Sequence, residues 1–249
     1  MKVDDIKLVG VLGGGVMGGG IAQSFIANGF RTVVRDLNDE LIQKTRETMI
    51  DGRFGLKGAV DRGKMTQQDF DETVGRLYFT TSMTELRECD LIIEAVPENL
   101  DLKKSVFAEL DTLVRPEAIL ATNTSGFAIG DLNKAVSHRE RFIGFHWFSP
   151  AFIMKIIEVI YAPETSEETI ETMLEMTRRL GKTPIKVKDA PGKYGFVANR
   201  IYFAMVAEAR KVLEEGVASA EDIDNAMKLG FNWPVGPLGM VQGARSGWQ

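Results

Sequence analysis

One cysteine and two histidines occur in 249 residues, and these scarcities exclude whole classes of protein. Cys89 has no partner for an internal disulfide. Beside the apolar run Leu91–Val96 it reads as a small buried thiol in a reducing compartment. His138 and His146 cluster neither with each other nor with Cys89, so no metal-ligand spacing exists and no metal site is expected. No stretch approaches the about 18 uninterrupted apolar residues of a membrane-spanning helix. The opening, MKVDDIKLVGVLGGG, lacks the apolar run and cleavage site of a secretory leader, so a cytoplasmic location is expected. Positive charge is also in deficit. Thirty Lys and Arg against 35 Asp and Glu leave a formal charge of −5, which argues against nucleic acid as a partner.

What is present is a core-forming chain, 44% hydrophobic, with a nucleotide motif at its start. Ile6–Leu12 reads as a buried parallel strand. Gly13, Gly15 and Gly18 follow in G-x-G-x-x-G spacing, then a helix-compatible segment Met17–Ala27 ending at Gly29. Arg31–Arg35 is a second strand with Asp36 at its C-terminal edge. Gly13 permits the tight turn, Gly15 lets a pyrophosphate reach the backbone, and Gly18 lets helix and strand pack closely. Free N–H groups at the helix start hold phosphate charge. Asp36 accepts bonds from the adenosine ribose and repels a 2′-phosphate, so NAD is expected rather than NADP; Arg35 is the one neighbour able to reach an added phosphate.

The βα alternation continues through Leu77–Thr80, Leu91–Val96, a helix over Leu102–Leu113 and a strand over Ile119–Thr122. That pattern predicts a mostly parallel sheet covered on both faces, with ligands outside the C-terminal strand edges. Glu98, Asn123, Thr124, Ser125 and His146 all follow predicted strands, so they are expected to converge near the nicotinamide end of the cofactor. Thr165–Leu180 opens as a capping box, Thr165-Ser-Glu-Glu168, and is predicted helical; Thr183–Val187 is the last strand. The interval Leu41–Phe70 is a polar insertion expected to hold one or two helices.

His138 lies among charged residues and reads as exposed. His146 ends an apolar, aromatic run, Arg141-Phe-Ile-Gly-Phe-His146. In the next run, Met154–Ile160, Glu158 is a lone carboxylate, costly to bury unless paired. If the two runs lie side by side, Glu158 holds one imidazole nitrogen and the other serves as a base. The alternative arrangement leaves His146 as a satisfied core residue and Glu158 turned to solvent.

The chain resembles the L-3-hydroxyacyl-CoA dehydrogenase family. The resemblance is carried by VLGGGVMGGGIA, IIEAVPENLDLKK, ATNTSG, GFHWFSPAFIMKIIEVI, GKTPIKVKDAPG, NRI and EDIDNAMKLGFNWPVGPLGM, in order over essentially the whole length. It implies NAD-dependent, reversible oxidation of a 3-hydroxyacyl-CoA thioester in fatty acid metabolism, with His146 and Glu158 as the base pair. By the same resemblance Ser125 and Asn199 hold the substrate's reacting oxygen, Glu98 stands near the nicotinamide, and Lys103 faces the cofactor or the cleft. It further implies a homodimer formed through a helical C-terminal domain. In that setting Lys57, Arg62 and Lys64 either meet coenzyme A phosphates or form a solvated face. Competing readings are a dehydrogenase of a free hydroxy or sugar acid, and a non-catalytic NAD-binding protein.

The expected fold class is therefore α/β, a Rossmann-type N-terminal domain over residues 1–190 with a smaller all-helical domain over 191–249. Phe196, Asn199, Phe203 and Val206 share a helical spacing, Ser219–Asp222 starts a capped helix ending at Gly230, and Gly236-Pro237 is expected to break the pattern. Against the family pattern, Lys193-Tyr194-Gly195 are inserted between DAPG and the Phe196–Arg200 segment. Trp147 replaces the commoner phenylalanine, where it either narrows the substrate site or packs. The helical domain is short for the family.

Overall fold

The apolar segments of the first three quarters of the chain assemble into one sheet. The computed structural model describes residues 1–52 and 54–246. The strands are β1 (Leu8–Leu12), β2 (Arg31–Arg35), β3 (Leu77–Thr80), β4 (Leu91–Glu94), β5 (Ile119–Thr122), β6 (Phe142–Trp147), β7 (Ile156–Tyr161) and β8 (Thr183–Lys188). Their order is β3-β2-β1-β4-β5-β6-β7-β8. Only the β6–β7 pair is antiparallel. β4 and β5 are buried at every position, as strands covered on both faces must be. The order reverses at β1, which lies between β2 and β4, so a crevice opens at its carboxyl edge.

Helices α1 (Val16–Ala27), α5 (Leu100–Leu113), the short α6 (Ile129–Leu132) and α7 (Glu167–Arg179) belong to the same unit. Ile21, Phe25 and Ile26 of α1 pack with Val9, Val11, Ile93, Phe145 and Trp147 in the core. Trp147 is 2% exposed and meets Phe25 and Phe145 edge-on or tilted, so the indole packs rather than lining a substrate site. Among its described residues the polar insertion holds three helices rather than one or two: α2 (Asp39–Ile50), α3 (Leu56–Asp61) and α4 (Gln67–Val74). Asn38 caps the start of α2 and Thr66 that of α4.

One expected cap is displaced. Ser166, not Thr165, caps α7 by accepting from Thr169 N. The Thr165 hydroxyl instead donates to the Phe142 carbonyl and accepts from Ala162 N, tying the end of β7 to β6. The Thr165 side chain is thereby engaged at the end of the sheet, and the helix cap falls one residue later.

The chain divides into two units, Met1–Tyr194 and Gly195–Gln249. The second consists of α8 (Ala198–Glu214), α9 (Ala220–Gly230) and α10 (Pro237–Ser246). Ser219 caps α9 as expected. Gly236-Pro237 does not end the helical pattern but starts α10. Proline at the first helical position lacks only an N–H that would go unused. The next two amides are satisfied by Asp224 of α9, whose carboxylate accepts from Leu238 N and Gly239 N at 2.8 Å each. An α/β dinucleotide-type domain followed by a smaller helical one is the expected fold class. Among the described residues no helix is long and apolar enough to cross a membrane.

Candidate active site

The nucleotide motif follows β1 directly. Gly13 has φ +94°, and a Cβ there would stand 2.8 Å from the Ala95 carbonyl oxygen. A Cβ at Gly18 would fall 1.7 Å from the Gly13 carbonyl oxygen, so the helix and the turn approach as closely as a bare backbone allows. Gly15 differs: nothing lies within 4 Å of where its Cβ would be. That open side faces outward from the start of α1, which is where a pyrophosphate needs unobstructed amides. Asp36 closes the turn by accepting from Gly14 N at 2.7 Å and Leu37 N at 2.7 Å. Those bonds fix the carboxylate beyond β2, with lone pairs remaining for a ribose. Arg35 is turned the other way, its Nε donating to the Thr81 carbonyl. The residues present thus fit NAD on three separate grounds: an open glycine, a helix N-terminus and a fixed carboxylate.

His146 and Glu158 are directly opposite each other in the antiparallel β6–β7 ladder. Opposed residues point to the same face, so the register itself brings the side chains together. Nδ1 of His146 and Oε2 of Glu158 are 2.8 Å apart, and the residues are 3% and 1% exposed. A carboxylate in its ionised form can only accept, so Nδ1 is the donor of this contact. Phe148 lies against the imidazole, with ring centroids 4.6 Å apart. The pair is the first of the two arrangements the spacing left open.

The ends of β5 and β6 are stitched together here. Asn123 Oδ1 accepts from Trp147 N at 2.9 Å, which holds the segment just after His146 beside the segment leading to Ser125. Glu98, beyond β4, gathers the same turn: its Oε1 accepts from Thr124 Oγ1 at 2.6 Å and Ser125 N at 2.9 Å. Thr124 Oγ1 in turn accepts from Phe127 N. Glu98, Ser125 and His146 therefore sit on connected segments.

Lys103 is 1% exposed, and its ammonium lies 2.6 Å from Glu94 Oε1, 3.2 Å from Glu98 Oε2 and 3.2 Å from the Val96 carbonyl. The first turn of α5, capped by Asn99, carries it beneath the strand end. A buried ammonium needs such partners, and the ion pair to Glu98 ties Lys103 to that carboxylate. Its main partner Glu94 went unnoticed in the sequence. It is fully buried and also accepts from Thr122 Oγ1 and Val96 N. Burial pushes its pKa up, while the Lys103 ammonium opposes the shift. The signal for it was the same as for Glu158, a lone carboxylate in an apolar strand.

Lys57 on α3 is exposed and ion-paired with Asp51, and Arg62 and Lys64 are exposed just beyond that helix. The insertion meets the β6–β7 connection through Phe54 and Phe152, whose ring centroids are 5.9 Å apart. Asn199 lies in the first turn of α8 in the second unit. His138 is half exposed beside Glu140. Cys89 is fully buried, and burial pushes its thiol up to about 12. Lys182 donates to the Ala151 and Met154 carbonyls at 2.8 and 2.6 Å and faces the Trp147 ring, pinning the connection between β6 and β7. Among the described residues no group of three or more His, Cys, Asp or Glu is arranged to hold a metal ion.

A dinucleotide cradle and a buried histidine–carboxylate pair in the same unit define an NAD-dependent oxidoreductase. Residues 8–190 match the 3-hydroxyacyl-CoA dehydrogenase NAD binding domain, and residues 195–245 match the C-terminal domain of the same enzymes. The chain belongs to the 3-hydroxyacyl-CoA dehydrogenase family, and its activity is NAD-dependent 3-hydroxyacyl-CoA dehydrogenation. It is 43% identical to a probable 3-hydroxybutyryl-CoA dehydrogenase of Deinococcus radiodurans, over 92% of this chain and 80% of that one. It is 37% identical to the mitochondrial hydroxyacyl-coenzyme A dehydrogenase of Rattus norvegicus, over 95% of this chain and 75% of that one. The crystal structure of (S)-3-hydroxybutyryl-CoA dehydrogenase from Ralstonia eutropha superposes with a TM-score of 0.89 at 40% identity, over 94% and 80% of the two chains.

Proposed function

We propose that the substrate is a short 3-hydroxyacyl-CoA and that His146 is the base that takes its 3-hydroxyl proton. The observation that carries this reading is the 2.8 Å contact between His146 Nδ1 and Glu158 Oε2, buried and in ladder register. Glu158 fixes the tautomer, so Nε2 is the nitrogen that accepts the proton. It also stabilises the imidazolium that forms. Ser125 and Asn199 donate to the reacting oxygen, holding it in place and supporting the alkoxide that develops in the reverse direction. The Gly13, Gly15 and Gly18 turn holds the pyrophosphate of NAD, Asp36 its ribose, and Glu98 stands at its nicotinamide end. When bound, NAD supplies the acceptor for the hydride that leaves C3.

Lys57, Arg62 and Lys64 are the basic residues offered to the phosphates of coenzyme A, which an acidic protein has to bind locally. The short acyl chain is supported by the 3-hydroxybutyryl-CoA activity named for the Deinococcus and Ralstonia relatives. Residues 1–190 serve as the NAD-binding domain and 191–249 as the helical one. We further propose a cytoplasmic homodimer with no nucleic-acid partner. Support for association comes from exposed apolar side chains of the helical unit, including Val217 at 70%, Leu229 at 82% and Phe231 at 70%.

The test is an NAD-linked rate screen over 3-hydroxyacyl-CoAs of increasing length, with free 3-hydroxybutyrate as the control. The highest kcat/KM is expected with the short thioesters, at least about a hundredfold above the free acid, roughly 2.7 kcal/mol of binding supplied by the coenzyme A portion. Comparable rates with the free acid would overturn the thioester reading.

A further inference from the structure

Glu98 is gripped by more donors than the turn it organises requires. Thr124 Oγ1 and Ser125 N bind its Oε1, and the Lys103 ammonium lies on its Oε2. A further donor comes from the end of the same unit, 96 residues away in sequence. The Tyr194 hydroxyl donates to Oε1 at 3.2 Å. Its ring meets Phe127 edge to face, with centroids 5.8 Å apart. Phe127 belongs to the Ser125 turn, since its amide donates to Thr124 Oγ1. Tyr194 therefore holds this turn twice, once through a ring and once through the carboxylate that anchors it.

We propose that Tyr194 is a positioning residue for the dehydrogenation, acting through Glu98 to fix the Thr124–Ser125 turn. This rests on the proposed role of Ser125 as a donor to the substrate's reacting oxygen. The geometry gives the phenol a definite task. Oε2 is held by a buried lysine, whereas Oε1 takes all three remaining donors, Thr124 Oγ1, Ser125 N and the Tyr194 hydroxyl. Tyr194, half exposed, is the longest of the three contacts on Oε1 and the one that comes from outside the turn. Without it, the carboxylate is free to rock about its Oε2 anchor, and the turn that hangs on Oε1 rocks with it. Burial and the neighbouring Glu98 carboxylate push the phenol up to about 12, so it remains a donor throughout the working pH range.

Tyr194→Phe removes the donor and keeps the ring on Phe127. A single hydrogen bond to a charged group, outermost and long, predicts a fall in kcat of about three- to tenfold. The KM for NAD is expected to stay within about twofold and the melting temperature within about 1 °C, because neither the glycine turn nor the core is touched. The deciding comparison is Tyr194→Phe in a Ser125→Ala background, where no further loss is expected, since the group being positioned is gone. If Ser125→Ala slows turnover while Tyr194→Phe leaves it unchanged, the role of Tyr194 is overturned and that of Ser125 stands. If the Tyr194→Phe loss multiplies fully with that of Ser125→Ala, Tyr194 acts by another route and the proposal is likewise overturned. If Ser125→Ala alone has normal turnover, the serine reading fails first and takes this proposal with it.

Discussion

Glu158→Gln replaces the buried carboxylate by an amide of the same shape. The amide oxygen still accepts from His146 Nδ1, so the ring keeps its tautomer and place. What is lost is the charge that favours the imidazolium. The contact atoms are 2.8 Å apart, which puts the centres of the two charges about 4 Å apart. At an effective dielectric near 20 that is worth about 4 kcal/mol for a full proton transfer. The transition state carries only part of that charge, so a loss of about 2–4 kcal/mol is expected, a fall in kcat of roughly thirty- to a thousandfold. Steady-state NADH formation from 3-hydroxybutyryl-CoA measures it, and NAD titration serves as the control. Affinity for NAD should stay within about twofold because the glycine turn and Asp36 are untouched. A kcat within threefold of wild type would refute the argument that the carboxylate supports the imidazolium.

Two glycines of the same motif are expected to fail in opposite ways. Gly15→Ala meets no atom within 4 Å, so stability should be unchanged while NAD affinity falls by about tenfold or more, the methyl standing where the pyrophosphate approaches. Gly18→Ala places a methyl 1.7 Å from the Gly13 carbonyl oxygen and should cost stability directly, about 1–3 kcal/mol by thermal or urea unfolding. Equal melting temperatures for the two variants would contradict this. Lys182 gives a pH signature. Burial, reinforced by Lys155, pushes its pKa down to about 8 from an ordinary 10.5, so the folded protein releases this proton before the unfolded chain does. Unfolding then takes up a proton between those values, and stability contributed by this site rises with pH across that window. The melting-temperature gap between wild type and Lys182→Met should widen from pH 7.5 to 9.5, and a constant gap would show that the shift is absent.

How much of this was legible beforehand depended on whether a single residue or a meeting of distant residues carried the information. Gly13, Gly15, Gly18 and Asp36 form a local motif whose spacing encodes its own geometry, so their positions could be read directly. His146 and Glu158 were legible as a possibility because a carboxylate in an apolar strand needs a partner; the antiparallel register that pairs them is a property of the sheet. Lys103 entered only through the family resemblance, since nothing in its local pattern indicates a buried partner. Its burial follows from Glu94, whose importance rests on Thr122 and Lys103 arriving from different elements. Tyr194 was visible only as part of an insertion, and its partner Glu98 lies too far away in sequence for spacing to indicate it. The start of α10 at Pro237 was missed for a similar reason, since the capping carboxylate of Asp224 comes from the preceding helix.

The account stands or falls on proton removal by one imidazole, and His146→Gln tests it most directly. Glutamine retains a donor for Glu158 but offers no basic nitrogen. With NAD bound to saturation, single-turnover oxidation of 3-hydroxybutyryl-CoA should slow by about a hundred- to ten-thousandfold, and NAD affinity should remain near wild type. Single turnover within threefold of wild type would show that some other group takes the hydroxyl proton.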